Sequence, residues 1–139
     1  MSLILDASYT IALVLEEGGL RDVDEVSELL ATSGAMVPTL WRFEVGNSLL
    51  MAVRRGRILP SRPAEIFAEL EAIQITDDPA PKWVWRATYA LAERHGLTVY
   101  DAAYLELAMR PRGRLATNDL QLAAAARREG LTVFGSPAT

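Results

Sequence analysis

Short apolar stretches alternate along this chain with longer segments of helical periodicity. That alternation narrows the fold more than any other feature. Leu3-Ile4-Leu5, Ala35-Met36-Val37, Ile73–Thr76, Arg114-Leu115-Ala116 and Leu131–Phe134 read as strands. The first is a bounded, uniformly apolar run, the pattern of a strand covered on both faces. Between them the spacing predicts helices over Tyr9–Glu16, Val23–Ala31, Leu40–Arg55, Arg62–Ala72, Lys82–His95, Thr98–Met109 and Asp119–Glu129. Thr39 and Ser61 are expected as N-caps, with Pro63 tolerated in a first turn, and Gly56, Gly96 and Gly130 as stops. Strands joined by helical crossovers pair in parallel. The expected architecture is therefore α/β: a three-layer α/β/α sandwich around a central, mainly parallel sheet. There is no internal repeat or linker, so residues 1–135 read as one domain and 136–139 as a frayed tail.

Composition removes several chemistries. The chain has no cysteine and one histidine, which excludes disulfides, thiolate catalysis and Cys-ligated zinc or iron–sulfur centres. No apolar run approaches the ~20 residues of a membrane helix, and no basic leader precedes an apolar stretch. A cytoplasmic location without membrane contact is the expectation. The formal net charge is −4, so the molecule as a whole does not attract polyanions. Basic residues are nearly all arginine. Arg54, Arg55, Arg57 and Arg110, Arg112, Arg114 form clusters that suit either local phosphate contacts or solvated helix ends.

Four acids stand in telling places. Asp6 closes the first strand, with Ser8 beside it, and ligands of open α/β sheets gather beyond such strand ends. Alone, both residues would also serve to shape a turn. Glu44 shares a helical face with Leu40, Asn47 and Met51, next to an apolar face of Trp41, Val45, Leu49 and Val53. A carboxylate there needs solvent, a partner, a proton or a metal. Asp101 falls in Thr98-Val99-Tyr100-Asp101, a variant capping box, and shares a face with Tyr104, Leu105 and Ala108. Asp119 follows a strand in Thr117-Asn118-Asp119, where N-capping is an equal use. Jointly, two strand ends and two helices would aim carboxylates at one crevice, within bonding range of a shared cation. At ~5 Å and an effective dielectric of about 20, each carboxylate pair repels by roughly 3 kcal/mol. Protonation or a divalent cation must offset that. An all-oxygen donor set favours Mg²⁺ or Mn²⁺ over zinc.

The chain resembles the PIN-domain ribonucleases of the kind found as VapC toxins of toxin–antitoxin pairs. The resemblance rests on Leu3-Ile4-Leu5-Asp6-Ala7-Ser8, on Pro38-Thr39-Leu40-Trp41-Arg42-Phe43-Glu44-Val45-Gly46-Asn47, on Leu97-Thr98-Val99-Tyr100-Asp101-Ala102-Ala103-Tyr104, and on Leu115-Ala116-Thr117-Asn118-Asp119. It implies that Asp6, Glu44, Asp101 and Asp119 hold Mg²⁺ (or Mn²⁺) and carry catalysis. Ser8 and Thr117 match hydroxyl positions that support the acids, and Asn47, one turn from Glu44, is a third candidate. It further implies cleavage of RNA by an activated water, a homodimer, and a cognate VapB-like antitoxin. The alternatives are an RNA-processing nuclease of the same fold or a non-catalytic module with an acidic groove.

Other α/β hydrolase patterns fit less well. A haloacid-dehalogenase-type phosphatase would need an acid where Ser8 stands. A receiver domain would need a lysine at a late strand end, and Lys82 opens a predicted helix instead. No phosphate-cradling glycine loop is present. His95, just before Gly96, reads as a helix C-terminal dipole partner. Trp41, Trp83 and Trp85 read as core or interface residues rather than base-stacking platforms.

Overall fold

In the computed structural model, which describes residues 2–135, the chain runs β1 (Leu3–Leu5), α1 (Ala7–Val14), α2 (Val23–Thr32), β2 (Ala35–Val37), α3 (Leu40–Arg54), α4 (Arg62–Glu71), β3 (Ile75–Asp77), α5 (Val84–His95), α6 (Val99–Met109), β4 (Arg114–Thr117), α7 (Leu120–Arg128) and β5 (Thr132–Gly135). The expected tail, 136–139, lies outside the described residues. The strands form one sheet in the order β3-β2-β1-β4-β5, and every pairing is parallel. The α/β/α sandwich read from the sequence is thus the observed class, with a sheet that is wholly rather than mainly parallel.

β1 is central. It pairs with β2 on one side and β4 on the other, Leu5 standing opposite Ala116. All three of its residues are buried, which is why the segment carries no polar alternation. The chain leaves β1 toward β2 and β3, then returns to the other side of β1 for β4 and β5. The strand order therefore reverses between β1 and β4. Such a reversal opens a crevice at the carboxyl ends of the two strands, the place where open α/β sheets bind ligands.

α6 packs on this centre with Ala102, Tyr104, Leu105, Leu107 and Ala108 buried. The Trp41 indole N–H donates to Thr10 Oγ1 at 3.1 Å, which ties the start of α3 to α1. Trp41 is a core residue as expected. Trp83 and Trp85 are 54% and 74% exposed and are not.

Several local expectations differ from the structure. α1 begins at Ala7 rather than Tyr9. Thr39 and Ser61 do not cap: both have helical backbone angles and neither side chain accepts a capping bond. In each case a tight turn has already begun the helix, with Trp41 N–H bonded to the Pro38 carbonyl and Arg62 N–H to that of Leu59. β3 starts at Ile75 because Ile73 is consumed in closing α4, its N–H donating to the Leu70 carbonyl. α5 starts at Val84, after a turn in which the Val84 N–H reaches the Pro81 carbonyl. His95 does more than face a dipole: its Nε2 lies 2.7 Å from Glu129 Oε2 and joins α5 to the end of α7. Arg110 is not a freely solvated helix end, since it forks onto Asp78 and Glu106.

Gly135 pairs with Thr117 and has φ +105°. A Cβ there would lie 2.4 Å from the Thr117 carbonyl and 2.7 Å from the Tyr9 ring. Backbone strain of this kind costs ~1–3 kcal/mol before any clash is added. Gly135→Ala is expected to lower stability by at least about 2 kcal/mol in chemical denaturation. An unchanged denaturation midpoint would contradict this close packing.

Candidate active site

The carboxyl ends of β1 and β4 deliver Asp6 and Thr117 side by side. Asp6 occupies the N-cap position of α1, yet its carboxylate caps nothing. Its Oδ2 instead accepts the Ser8 hydroxyl at 2.5 Å and the Thr117 hydroxyl at 2.7 Å. Oδ1 has no hydrogen-bond partner among the described residues. Asp6 is only 4% exposed. The two hydroxyls are themselves tied down: the Asn118 N–H donates to Ser8 Oγ at 3.0 Å, and the Asp119 N–H to Thr117 Oγ1 at 3.0 Å. The turn after β4 is thereby fixed to the turn after β1.

Asp119 is the N-cap of α7, its Oδ1 accepting from the Leu122 N–H at 2.9 Å. The capping role weighed from the sequence is present, and it occupies one of the two oxygens. At α6 the cap is Thr98, whose hydroxyl accepts the Asp101 N–H at 3.1 Å. Asp101 stands half-buried in the first turn. Glu44 is half-buried on α3, and its Oε1 accepts the Tyr104 hydroxyl at 2.6 Å. Asn47 does not join this set: it is exposed, and its side chain makes no hydrogen bond among the described residues.

The four acids sense one another. Burial pushes Asp6 up to about 6 against the pull of Ser8 and Thr117, and the charges of Glu44 and Asp101 add to the rise. Burial also raises Glu44; the Tyr104 hydrogen bond opposes the rise and the Asp101 charge adds to it. Asp101 is raised by burial and then by Asp119, with Thr98 opposing. The chain of repulsions links all four. Among the described residues none of them takes part in an ion pair, although six arginine–carboxylate contacts occur elsewhere among those residues. The site is a concentration of uncompensated negative charge.

A finished cage is absent: among the described residues no three Asp, Glu or His side chains close together tightly enough to grip an ion unaided. The expectation of four carboxylates within bonding range of one cation is corrected to that extent. The donor set still fits a hard cation. It is all oxygen, and Asp6, Glu44 and Asp119 each keep a carboxylate oxygen with no partner among the described residues. Mg²⁺ commonly retains several waters and uses only one or two carboxylates directly.

One member of the site escaped sequence reasoning. Tyr104 was visible only as a residue on the same face of α6 as Asp101. Its link to Glu44, sixty positions away, had no local signal.

An all-parallel sheet with carboxylates gathered at its switch point defines an α/β domain with an acidic site. The PIN domain family model matches residues 3–128, and the chain belongs to the PIN-domain family. Its sequence is of the VapC type: it is 35% identical over 126 residues to ribonuclease VapC3 of Pyrobaculum aerophilum, across 88% of this chain and 93% of that protein. In structure it is similar to PAE2754 from Pyrobaculum aerophilum, with a TM-score of 0.70 and 22% identity over 96% of this chain and 83% of that one. It is also similar to FitAcB from Neisseria gonorrhoeae, with a TM-score of 0.52 and 17% identity over 95% of this chain and 96% of that one. At these identities the two structures speak for the fold alone.

Proposed function

We propose that this protein is a Mg²⁺-dependent endoribonuclease, the toxin of a toxin–antitoxin pair, with Asp6, Glu44, Asp101 and Asp119 as its cation-holding and catalytic acids. The observation that carries this is the set of four mutually repelling carboxylates at the sheet's switch point with no cation from the protein among them. Membership of the PIN family and similarity to ribonuclease VapC3 support RNA as the substrate. A bound divalent cation supplies an activated water and stabilises the charge that builds on a phosphodiester under attack.

The chain's own residues do the rest. Ser8 and Thr117 hold Asp6 by one oxygen and leave the other without a partner among the described residues. Thr98 caps α6 and frees Asp101 from that duty. Mn²⁺ suits the same oxygen donors. The VapC resemblance supports a homodimer and a cytoplasmic VapB-like antitoxin that covers the acidic edge. The net charge of −4 suits a basic inhibitor segment.

The test is cleavage of structured RNAs by purified protein. Cuts are expected with Mg²⁺ and none with chelator or in Asp101→Asn. Equal cleavage with and without chelator would overturn the metal-dependent reading. A second measurement does not need the RNA target. A ligand at ten times its dissociation constant stabilises the folded state by about 1.4 kcal/mol, which is a rise of a few degrees in Tm. Mg²⁺ is expected to raise the Tm of the wild type by that amount and to raise Asp101→Asn less. A flat Tm across millimolar Mg²⁺ would favour a non-catalytic acidic module.

A further inference from the structure

We infer that Tyr104 is a positioning residue for the acidic site, holding Glu44 by one oxygen and setting its place relative to Asp6. The inference rests on the reading of the site as a divalent-cation centre. Tyr104 is fully buried on α6, and its hydroxyl donates to Glu44 Oε1 at 2.6 Å. α6 itself packs against β1, the strand that Asp6 follows. One hydroxyl therefore ties the helix seated on β1 to the side chain of an acid on α3.

Three observations make this more than packing. The Glu44 carboxylate has no other hydrogen-bond partner among the described residues, so Tyr104 alone fixes it there. A phenol keeps its proton across ordinary pH and acts there as a donor to a carboxylate. The ring is locked by the core, with Ala102, Leu105 and Ala108 of the same helix all buried. A glutamate has several rotatable bonds, and ordering it on cation binding carries an entropic penalty. Tyr104 imposes that order beforehand. It also commits Oε1, which leaves Oε2 for the cation. Residues hydrogen-bonded to metal-holding carboxylates typically govern affinity by ~10–100-fold.

The experiment is titration of Mn²⁺ into metal-free protein, followed by calorimetry, for wild type, Tyr104→Phe, Glu44→Gln and the double variant. Tyr104→Phe is expected to weaken Mn²⁺ binding by about 10-fold or more. In the Glu44→Gln background the same change is expected to have no further effect, because the phenol acts through Glu44. A purely structural tyrosine would lower the metal-free Tm and leave the Mn²⁺ affinity unchanged, and that result would overturn the proposal. Failure of the wild type to bind Mn²⁺ would instead overturn the cation-site reading beneath it. Should Tyr104→Phe not fold, 4-fluorophenylalanine at this position fills the hydroxyl's space without a proton to give. The same loss of affinity is expected from it, and unchanged affinity again counts against the proposal.

Discussion

Asp6→Asn is expected to give a protein that is more stable than the wild type in chelator at pH 7.5 and that cleaves no RNA. Asp6 is almost fully buried, and burial pushes its carboxyl up to about 6. An unfolded aspartate titrates near ~3.9. The folded state thus holds its proton more tightly than the unfolded chain does. Below about pH 4 both states are protonated and nothing is lost. As pH rises from there toward 6 the unfolded chain gives up the proton first, and wild-type stability falls. Above that the loss is constant and on the order of 3 kcal/mol, from two units at ~1.4 kcal/mol each. Asparagine removes the charge and keeps an oxygen that accepts the Ser8 and Thr117 hydroxyls. The expected gain is roughly 1–3 kcal/mol, or several degrees in Tm, and it shrinks to nothing toward pH 4. Saturating Mg²⁺ should narrow the gap, since it stabilises the wild type more. Activity should fall by more than ~100-fold, beyond the range seen when only a neighbour of a metal ligand is lost. The measurement is thermal unfolding across pH with and without Mg²⁺, beside an RNA cleavage assay. A variant less stable than the wild type at pH 7.5 in chelator would mean that Asp6 serves the fold, not a cation.

The contrast between local and distant information explains what could be read from residues alone. The alternation of Leu3-Ile4-Leu5 with helical segments was enough for the sandwich, because each pattern reflects burial of its own neighbours. Asp6 and Asp119 were legible as candidates because they follow strands, and Glu44 because it interrupts an apolar helix. The reversal of strand order between β1 and β4 was not legible: no local pattern says which side of β1 a returning strand takes. Thr39 and Ser61 had the right chemistry for caps, but the turns from Pro38 and Leu59 began each helix earlier. Ile73 and Ile75 offered the same alternation to two elements, and the end of α4 claimed the first. The pairing of Tyr104 with Glu44 depends on the tertiary fold bringing one side chain of α6 to one of α3. Sequence spacing brought the acids to one edge, yet it could not set side-chain separations, which is why a closed cage was expected and an open edge is found.

Arg110→Met is expected to destabilise the protein by ~3–5 kcal/mol and leave cation binding intact. Arg110 forks onto both oxygens of Asp78, at 3.0 and 2.6 Å, and its Nε reaches Glu106 Oε2 at 2.8 Å. Asp78 and Glu106 are each only 4% exposed, so removing the guanidinium strands two buried charges. The planar fork is what serves two carboxylates at once, and Arg110→Lys should recover only part of the loss because an ammonium is a point charge. The guanidinium also lies 5.7 Å from the Trp83 ring, fixing the start of α5. If stranded charge is the cause, replacing the whole triad by apolar residues (Asp78→Leu, Glu106→Met, Arg110→Met) should regain most of the stability. Asp101 and Arg110 sit at opposite ends of α6, nine residues and about 13 Å apart at 1.5 Å per residue. Mg²⁺ should therefore still raise the Tm of Arg110→Met by as much as it raises that of the wild type. Denaturant titration with and without Mg²⁺ measures both quantities. A loss under ~1 kcal/mol would place Arg110 with ordinary surface pairs. A lost Mg²⁺ response in a folded variant would mean that the two ends of α6 are coupled. The expected pair of results, one variant more stable without its site and the other less stable with its site whole, would separate the charge kept for a ligand from the charge kept for the fold.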